Sequence, residues 1–274
     1  PNLLDNLSTC KSPQQMFGAL AKTYYAQKKG LNGKDVVSVS IMPCTAKKFE
    51  AGRPEMRSSG FQDVDYVLTT RELGMMIKQA GIDFMRLPDS HYDSIMGEST
   101  GAAVIFGATG GVMEAALRTA YEIVTGREVP FQNLNITPVR GFDGIKEASV
   151  KIEGCVPEWS FLEGAVLKVA IAHGLANAKK LMKAVSDGTV SYHFIEVMAC
   201  PGGCLGGGGQ PIPTNKEIRS KRAEAIYAED EGLPLRKSHE NPEVHLIYQD
   251  FLGKPLGHKS HDLLHTHYKP RKRY

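Results

Sequence analysis

The chain changes its hydrophobic rhythm repeatedly. "SPQQMFGALAKTYYAQKKG" (12–30) runs amphipathically, with Ser12 as N-cap and Pro13 at the first helical position, and predicts a helix ending at Gly30. "DVVSVSI" (35–41) alternates like a strand and runs into "MPC"; "VDYVLTT" (64–70) predicts a second strand, with Thr70 capping the helix "RELGMMIKQAG". Residues 97–126 begin glycine-rich and predict a long helix from about Gly110. "ITPVRG" and "KEASVKIEG" predict short strands and "GAVLKVAIAHG" (164–174) a buried one. The helix "LANAKKLMKAVSDG" and the strand "YHFIEVM" (192–198) follow.

Strands alternating with helices of this length predict an α/β fold: two lobes of mixed, mostly parallel sheet flanked by helices, with a site between them. "VSVSIMPC" and "HFIEVMAC" echo one another, each a strand ending Met-x-Cys. After Pro213 the pattern becomes helical and charged, so residues 1–213 are read as the main domain and 214–274 as a helical C-terminal extension packed on it. His261 and His265 have the i,i+4 spacing of a zinc clamp, but nothing near them completes a site, and packing helix faces are the expectation.

Composition narrows the function classes. The net charge of +3 is carried by the tail "KPRKR"; without its four positive charges the rest stands at −1, which is unlike a nucleic-acid binder. No apolar run reaches membrane-spanning length, and the start shows no signal-peptide pattern. It also has no initiator methionine, so the expectation is a processed chain or a piece of a longer one. Five scattered cysteines, an odd count, argue against a disulfide framework and leave metal ligands or buried small residues.

The densest chemistry is "VMACPGGCLGGGGQP" (197–211). One Cys-x-x-x-Cys alone fits half a zinc site, a redox pair or an accident. Zinc ribbons pair two such knuckles, and thioredoxin-like motifs have two intervening residues. An iron–sulfur cluster takes cysteines dispersed over several loops, with glycine-rich turns offering N–H groups to its sulfides. Cys44, Cys200 and Cys204 make three candidate ligands where four are usual, which leaves Cys10, Cys155 or a residue outside this chain to complete the set. Lys47 lies three residues after Cys44; it is either a cation aimed at a bound anion or a surface lysine paired with Glu50.

"VSIMPCTAKKFEAGRPEM" and "HFIEVMACPGGCLGGGGQP" resemble two signature stretches of the iron-only (FeFe) hydrogenases, and "NLSTCKSPQQMFG", "LTTRELGMMIK", "MGESTGAAVIFGATGGVMEAALR", "VRGFDGIKEA" and "LRKSHENPEV" resemble the catalytic domain around them. The resemblance covers nearly the whole chain and is closest to the monomeric clostridial type. It implies that Cys44, Cys200 and Cys204 bind a 4Fe–4S cubane, with Cys204 bridging to a diiron subcluster that carries CO, cyanide and a bridging dithiolate (the H-cluster). Lys47, Ser8 and Met198 would be catalytic positions, Lys47 holding one cyanide and Ser8 falling on the proton path. Ser12, Pro13, Gln14, Met42, Pro43, Phe106, Gly203 and Gln210 would line the cofactor, and the glycines at 202–203 and 206–209 would leave room for it. The three ligand sulfurs are expected within roughly 7 Å of one another.

The family's first signature, a Thr-Ser-Cys-Cys-Pro loop, does not occur in this sequence. It supplies the fourth cubane thiolate and the proton-relaying cysteine, so the expectation is a truncated catalytic domain, inactive when isolated. Cys10 and Cys155 are read as structural thiols. The resemblance also implies a ferredoxin-like electron carrier, hydrogenase maturation proteins and upstream iron–sulfur domains as partners. The expected location is cytoplasmic, with a periplasmic one left open. Iron–sulfur assembly proteins and sensory hydrogenase relatives share the domain and are the alternative reading.

Overall fold

The computed structural model describes residues 3–93 and 96–270. Its contacts group into two units, Pro1–Gly97 with Pro242–Tyr274, and Glu98–Asn241.

In the first unit, Ser12 accepts a hydrogen bond from the Gln15 N–H, and α1 (Pro13–Leu20) begins as expected. The single helix predicted to Gly30 is three segments. A wider π-type turn, Ala21–Tyr25, separates α1 from α2 (Ala26–Lys29), where the Thr23 hydroxyl donates to the Ala19 carbonyl and intrudes on the ladder. Strand β1 (Val39–Met42) starts later than predicted, because Gly33–Asp35 forms a 3-10 turn. After α3 (Ala46–Ala51), strand β2 (Tyr66–Thr69) pairs parallel with β1, Val39 opposite Tyr66 and Met42 opposite Thr69. The cap of α4 (Thr70–Gln79) is Thr69, one residue before the expected Thr70. Thr69 keeps extended backbone and exchanges two hydrogen bonds with Glu72, a capping box. Beneath the strands Ala51, Val64 and Val67 pack with Met42, and the fully buried Lys11–Asp63 ion pair (3.1 Å) ties the start of α1 to the approach to β2.

The second unit runs α5 (Gly101–Val104), α6 (Gly111–Thr125), β3 (Ile145–Lys151), β4 (Val166–His173), α7 (Leu175–Ser186), β5 (Phe194–Met198) and α8 (Lys216–Gly232). Its sheet order is β3-β4-β5, with β3 antiparallel and β5 parallel to β4. "ITPVRG" is a 3-10 turn, Thr137–Val139, and not a strand. Pro138 has no amide to give a ladder, and Ile136 and Val139 are buried directly in the core with Met113, Leu117, Val169 and Ile171. Arg118, fully buried on α6, donates to Glu114 at 2.7 Å and to both Asp230 oxygens at 2.8 Å, locking α6 to α8. Glu196 of β5 accepts the Gly110 and Met113 N–H groups at 2.7 Å each, pinning the N-terminus of α6 to the strand that leads to Cys200. Burial raises the Glu196 pKa despite these donors.

The predicted extension after 213 is divided between the units. Helix α8 belongs to the second, whereas α9 (Pro242–Ile247) and α10 (His258–Leu264) belong to the first, where Ile247, Leu252, Leu263 and Leu264 pack with Tyr24. No helix among the described residues is long and apolar enough to cross a membrane.

Candidate functional site

The Met-x-Cys echo is structural. Strands β1 and β5 end at Met42 and Met198, and Cys44 and Cys200 follow two residues beyond, each past the carboxyl end of a parallel strand. Ligands gather at such ends in α/β sheets. All five cysteines lie among the described residues and none is disulfide-bonded.

In the first unit the candidate residues form one hydrogen-bonded web. The Ala46 N–H donates to the Cys44 sulfur at 3.3 Å. One turn on, the Lys47 ammonium donates to Glu50 Oε2 at 2.8 Å, and the Ser12 hydroxyl donates to the same oxygen at 2.8 Å. Gln14 donates to the Lys47 carbonyl at 3.3 Å and accepts from the Ser40 hydroxyl at 2.7 Å. Thus Ser12, Gln14 and Lys47, drawn from two sequence stretches, are brought together, while Met42 faces the small core under β1 and Pro43 links it to Cys44. Lys47 is in the Glu50-paired arrangement, one of the two expected for it. Glu50 and Ser40 are members of the web to which the resemblance assigned no role, although both lie within the stretch 39–56. Glu50 at i+3 from Lys47 was the legible signal; Ser40 gave none.

Ser8 stands apart and exposed, its hydroxyl accepting from the Cys10 N–H and its carbonyl from the Tyr268 hydroxyl. Cys10 is exposed and bridges by its backbone to His265, whereas Cys155 packs against the main core of the second unit. Only Cys155 has the surroundings of a structural thiol.

In the second unit one glycine-rich loop carries Cys200 and Cys204. The Gly203 N–H donates to the Cys200 carbonyl and the Gly207 N–H to the Cys204 carbonyl, each at 3.0 Å, and the Gln210 side chain returns to the Cys204 carbonyl at 3.3 Å. The loop also touches the residues before α6, where the Thr109 N–H donates to the Gly202 carbonyl. Thr109 in turn bonds the ring of His173 at 3.0 Å, and burial with the nearby Arg219 charge holds that imidazole below its usual pKa. Phe106 packs on Ala102, Ile105 and Ala115 and borders an open apolar groove of about 590 Å³ along α6.

The reason for two of the glycines differs from the expectation of room for a ligand. Gly203 has φ +87, and a Cβ there would stand 2.8 Å from the Gly107 carbonyl oxygen; at Gly206 it would stand 1.9 Å from the Pro201 carbonyl oxygen. The protein's own backbone already requires glycine at both.

The thiols fit an iron–sulfur group by their chemistry: soft sulfur donors on loops at strand ends, one receiving an N–H bond. Within neither unit do three or more His, Cys, Asp or Glu side chains of the described residues cluster as ligands for a lone ion. His261 and His265 stack at 4.2 Å between ring centroids, and His265 bonds Thr9.

The family model "iron only hydrogenase large subunit, C-terminal domain" matches residues 1–208, and "iron hydrogenase small subunit" matches residues 216–271. The NADP-reducing hydrogenase subunit HndD of Solidesulfovibrio fructosivorans is 53% identical over 274 residues, which covers 100% of this chain and 45% of that protein. The periplasmic Fe hydrogenase large subunit of Nitratidesulfovibrio vulgaris is 54% identical over 237 residues, 86% of this chain and 53% of that one. The chain thus spans about half the length of these relatives. A solved variant of FeFe-hydrogenase HydA1 from Chlamydomonas reinhardtii superposes with a TM-score of 0.83 at 46% identity, covering 98% of this chain and 71% of that one. Protein NAR1 of Arabidopsis thaliana is 32% identical, over 98% of this chain and 57% of that one.

Proposed function

The chain belongs to the iron-only hydrogenase large-subunit family, and from that premise we propose that it is the catalytic part of a longer hydrogenase, interconverting two protons and two electrons with dihydrogen. The observation that carries the reading is the web in which Ser12, Gln14, Lys47 and Glu50 surround the segment following Cys44. Lys47 has Glu50 as its counter-ion and keeps further N–H donors for an anion such as a cyanide-bearing diiron group, which an assembly factor does not hold. The lower identity to NAR1 also favours the hydrogenase reading.

Cys44, Cys200 and Cys204 would be this chain's thiolates to a 4Fe–4S cubane, Cys204 also bridging to the diiron subcluster. Lys47 has three protons to donate, so it can keep Glu50 while binding a cyanide. Ser12, Pro13 and Gln14 would line the second cyanide, and Met42, Pro43, Phe106, Met198, Gly203 and Gln210 would shield the group from water. Ser8 would stand on the proton path. When bound, the cofactor supplies the open iron position at which dihydrogen is split heterolytically. A fourth thiolate and the proton-relaying cysteine would come from the Thr-Ser-Cys-Cys-Pro segment of the full-length protein.

Electrons would arrive through upstream iron–sulfur domains from a ferredoxin-type carrier, and maturation proteins would insert the diiron group. We place the protein in the cytoplasm, although one relative is named as periplasmic. The test is hydrogen evolution by the full-length protein, matured anaerobically and driven by a reduced viologen. Activity that is lost in Cys204→Ser together with the carbonyl and cyanide infrared bands supports the proposal. A protein that binds iron and sulfide, shows no such bands and evolves no hydrogen would be an assembly or sensory relative instead.

A further inference from the structure

One arginine spans the ends of the loop that follows Cys204. Arg222, on α8, donates through Nη1 to the Leu205 carbonyl at 2.7 Å and through Nη2 to the Pro211 carbonyl at 3.2 Å. Between those two carbonyls lie Gly206–Gln210, four glycines and one glutamine. Arg219, one turn earlier on the same helix, lays its stem over the loop: its Cδ lies 2.9 Å from where a Cβ on Gly206 would stand and 3.1 Å from one on Gly202. Helix α8 is itself immobilised, since its Asp230 takes both the Arg118 and the Arg236 guanidinium groups.

A run of glycines has a large conformational entropy, so a ligand loop built from it needs its shape imposed from outside. A guanidinium is suited to this. Its donors sit in a rigid fork that reaches two carbonyls at once, which an ammonium cannot do from one position. We propose that α8 acts as a clamp on the ligand loop, with Arg222 a positioning residue for Cys204. The clamp crosses a family boundary: Leu205 lies within the segment matched by the large-subunit model, and Arg222 within the segment matched by the small-subunit model. The small-subunit-like segment therefore shapes the metal-binding loop in addition to packing beside it. The inference rests on the reading of Cys204 as a cluster ligand.

The test compares Arg222→Gln, Arg222→Lys and the neighbouring Lys221→Gln in the full-length protein. Lys221 pairs only with exposed Glu217 among the ion pairs of the described residues and serves as the control. Two readouts are used: amide exchange of Gly203 and Gly207 in cluster-free protein, and release of cluster iron to a chelator with the resonance spectrum of the reduced cluster. Outer groups that orient metal ligands typically contribute tenfold or more to metal retention, so Arg222→Gln should release iron about tenfold faster and exchange both amides faster. Its spectrum should change, Arg222→Lys should recover only part of the loss, and Lys221→Gln should match wild type. Wild-type exchange, release and spectrum in a folded Arg222→Gln protein would overturn the clamp. Should Arg222→Gln fail to fold, Arg222→Lys decides by the same measurements, wild-type values again overturning it. If the wild type takes up no cluster, the ligand reading fails, and amide exchange still decides whether the clamp exists.

Discussion

Ser12 and Glu50, 38 residues apart, are joined by a 2.8 Å hydrogen bond, and the oxygen that accepts it also holds Lys47. A single carboxylate thus sets the positions of the two side chains proposed to meet the two cyanides. In the matured full-length protein, Lys47→Ala should abolish stable diiron incorporation and leave the cubane largely intact. Glu50→Gln keeps an acceptor but removes the counter-charge, so it should permit incorporation while shifting the cyanide infrared bands. Bands unchanged in both variants would make the web incidental to the cofactor.

The Ser12 hydroxyl has two duties, accepting from Gln15 at the start of α1 and donating to Glu50. Loss of an N-cap costs about 1 kcal/mol, so Ser12→Ala should lower the melting temperature by about 2–4 °C. The two duties separate in a double-mutant cycle: combined with Glu50→Ala, which removes the acceptor, Ser12→Ala should retain only the cap cost. Strict additivity of the two substitutions would mean that the Ser12–Glu50 bond contributes nothing.

Much of the architecture was legible because its signals are local. Ser12-Pro13 marks a helix start, found where the sequence puts it, and the strand read at 192–198 is present from Phe194 to Met198. The Met-x-Cys echo was legible because it ends two strands in the same way. What escaped turned on a near-tie between local alternatives or on partners distant in sequence. Thr69 wins the cap over Thr70 because Glu72 lies three residues after it, a one-residue competition between equivalent side chains. The antiparallel β3 pairing and the burial of Ile136 and Val139 without a ladder are decided by the core. The clamp by Arg222 crosses 11 and 17 residues between elements of unrelated pattern, and the glycine run read as space for a ligand is partly space for the chain itself.

The α4 cap carries a pH signature. The Lys48 ammonium (2.8 Å), followed by the Thr69 N–H, holds the Glu72 carboxyl down at about 2 from an ordinary 4.5. A carboxyl whose pKa is lower folded than unfolded contributes stability above the unfolded value and loses it as pH falls through the folded one. The stability difference between wild type and Glu72→Gln should therefore be constant near neutrality and shrink between about pH 4.5 and 2. The pair is exposed, so added salt should reduce the Lys48 part of the difference. A difference that grows as the solution is acidified would contradict this assignment.

The last prediction concerns ligand number. A cubane normally takes four thiolates, and residues 1–274 match only Cys44, Cys200 and Cys204 to that role. Neither remaining cysteine is placed as a ready substitute: Cys10 is exposed with its backbone bridged to His265, and Cys155 is packed on the second unit's core, its thiol pKa raised by burial and by Glu163. A polypeptide of residues 1–274, produced with the maturation machinery, should therefore bind iron poorly and evolve no hydrogen. Adding a segment that carries the Thr-Ser-Cys-Cys-Pro loop, fused or as a separate chain, should restore both, because that loop brings a thiolate and a proton relay together. Iron content, infrared spectrum and hydrogen evolution are measured on the two preparations side by side. Full activity of residues 1–274 alone would refute the count and require Cys10 or Cys155 in the cluster, which Cys10→Ser and Cys155→Ser would then distinguish.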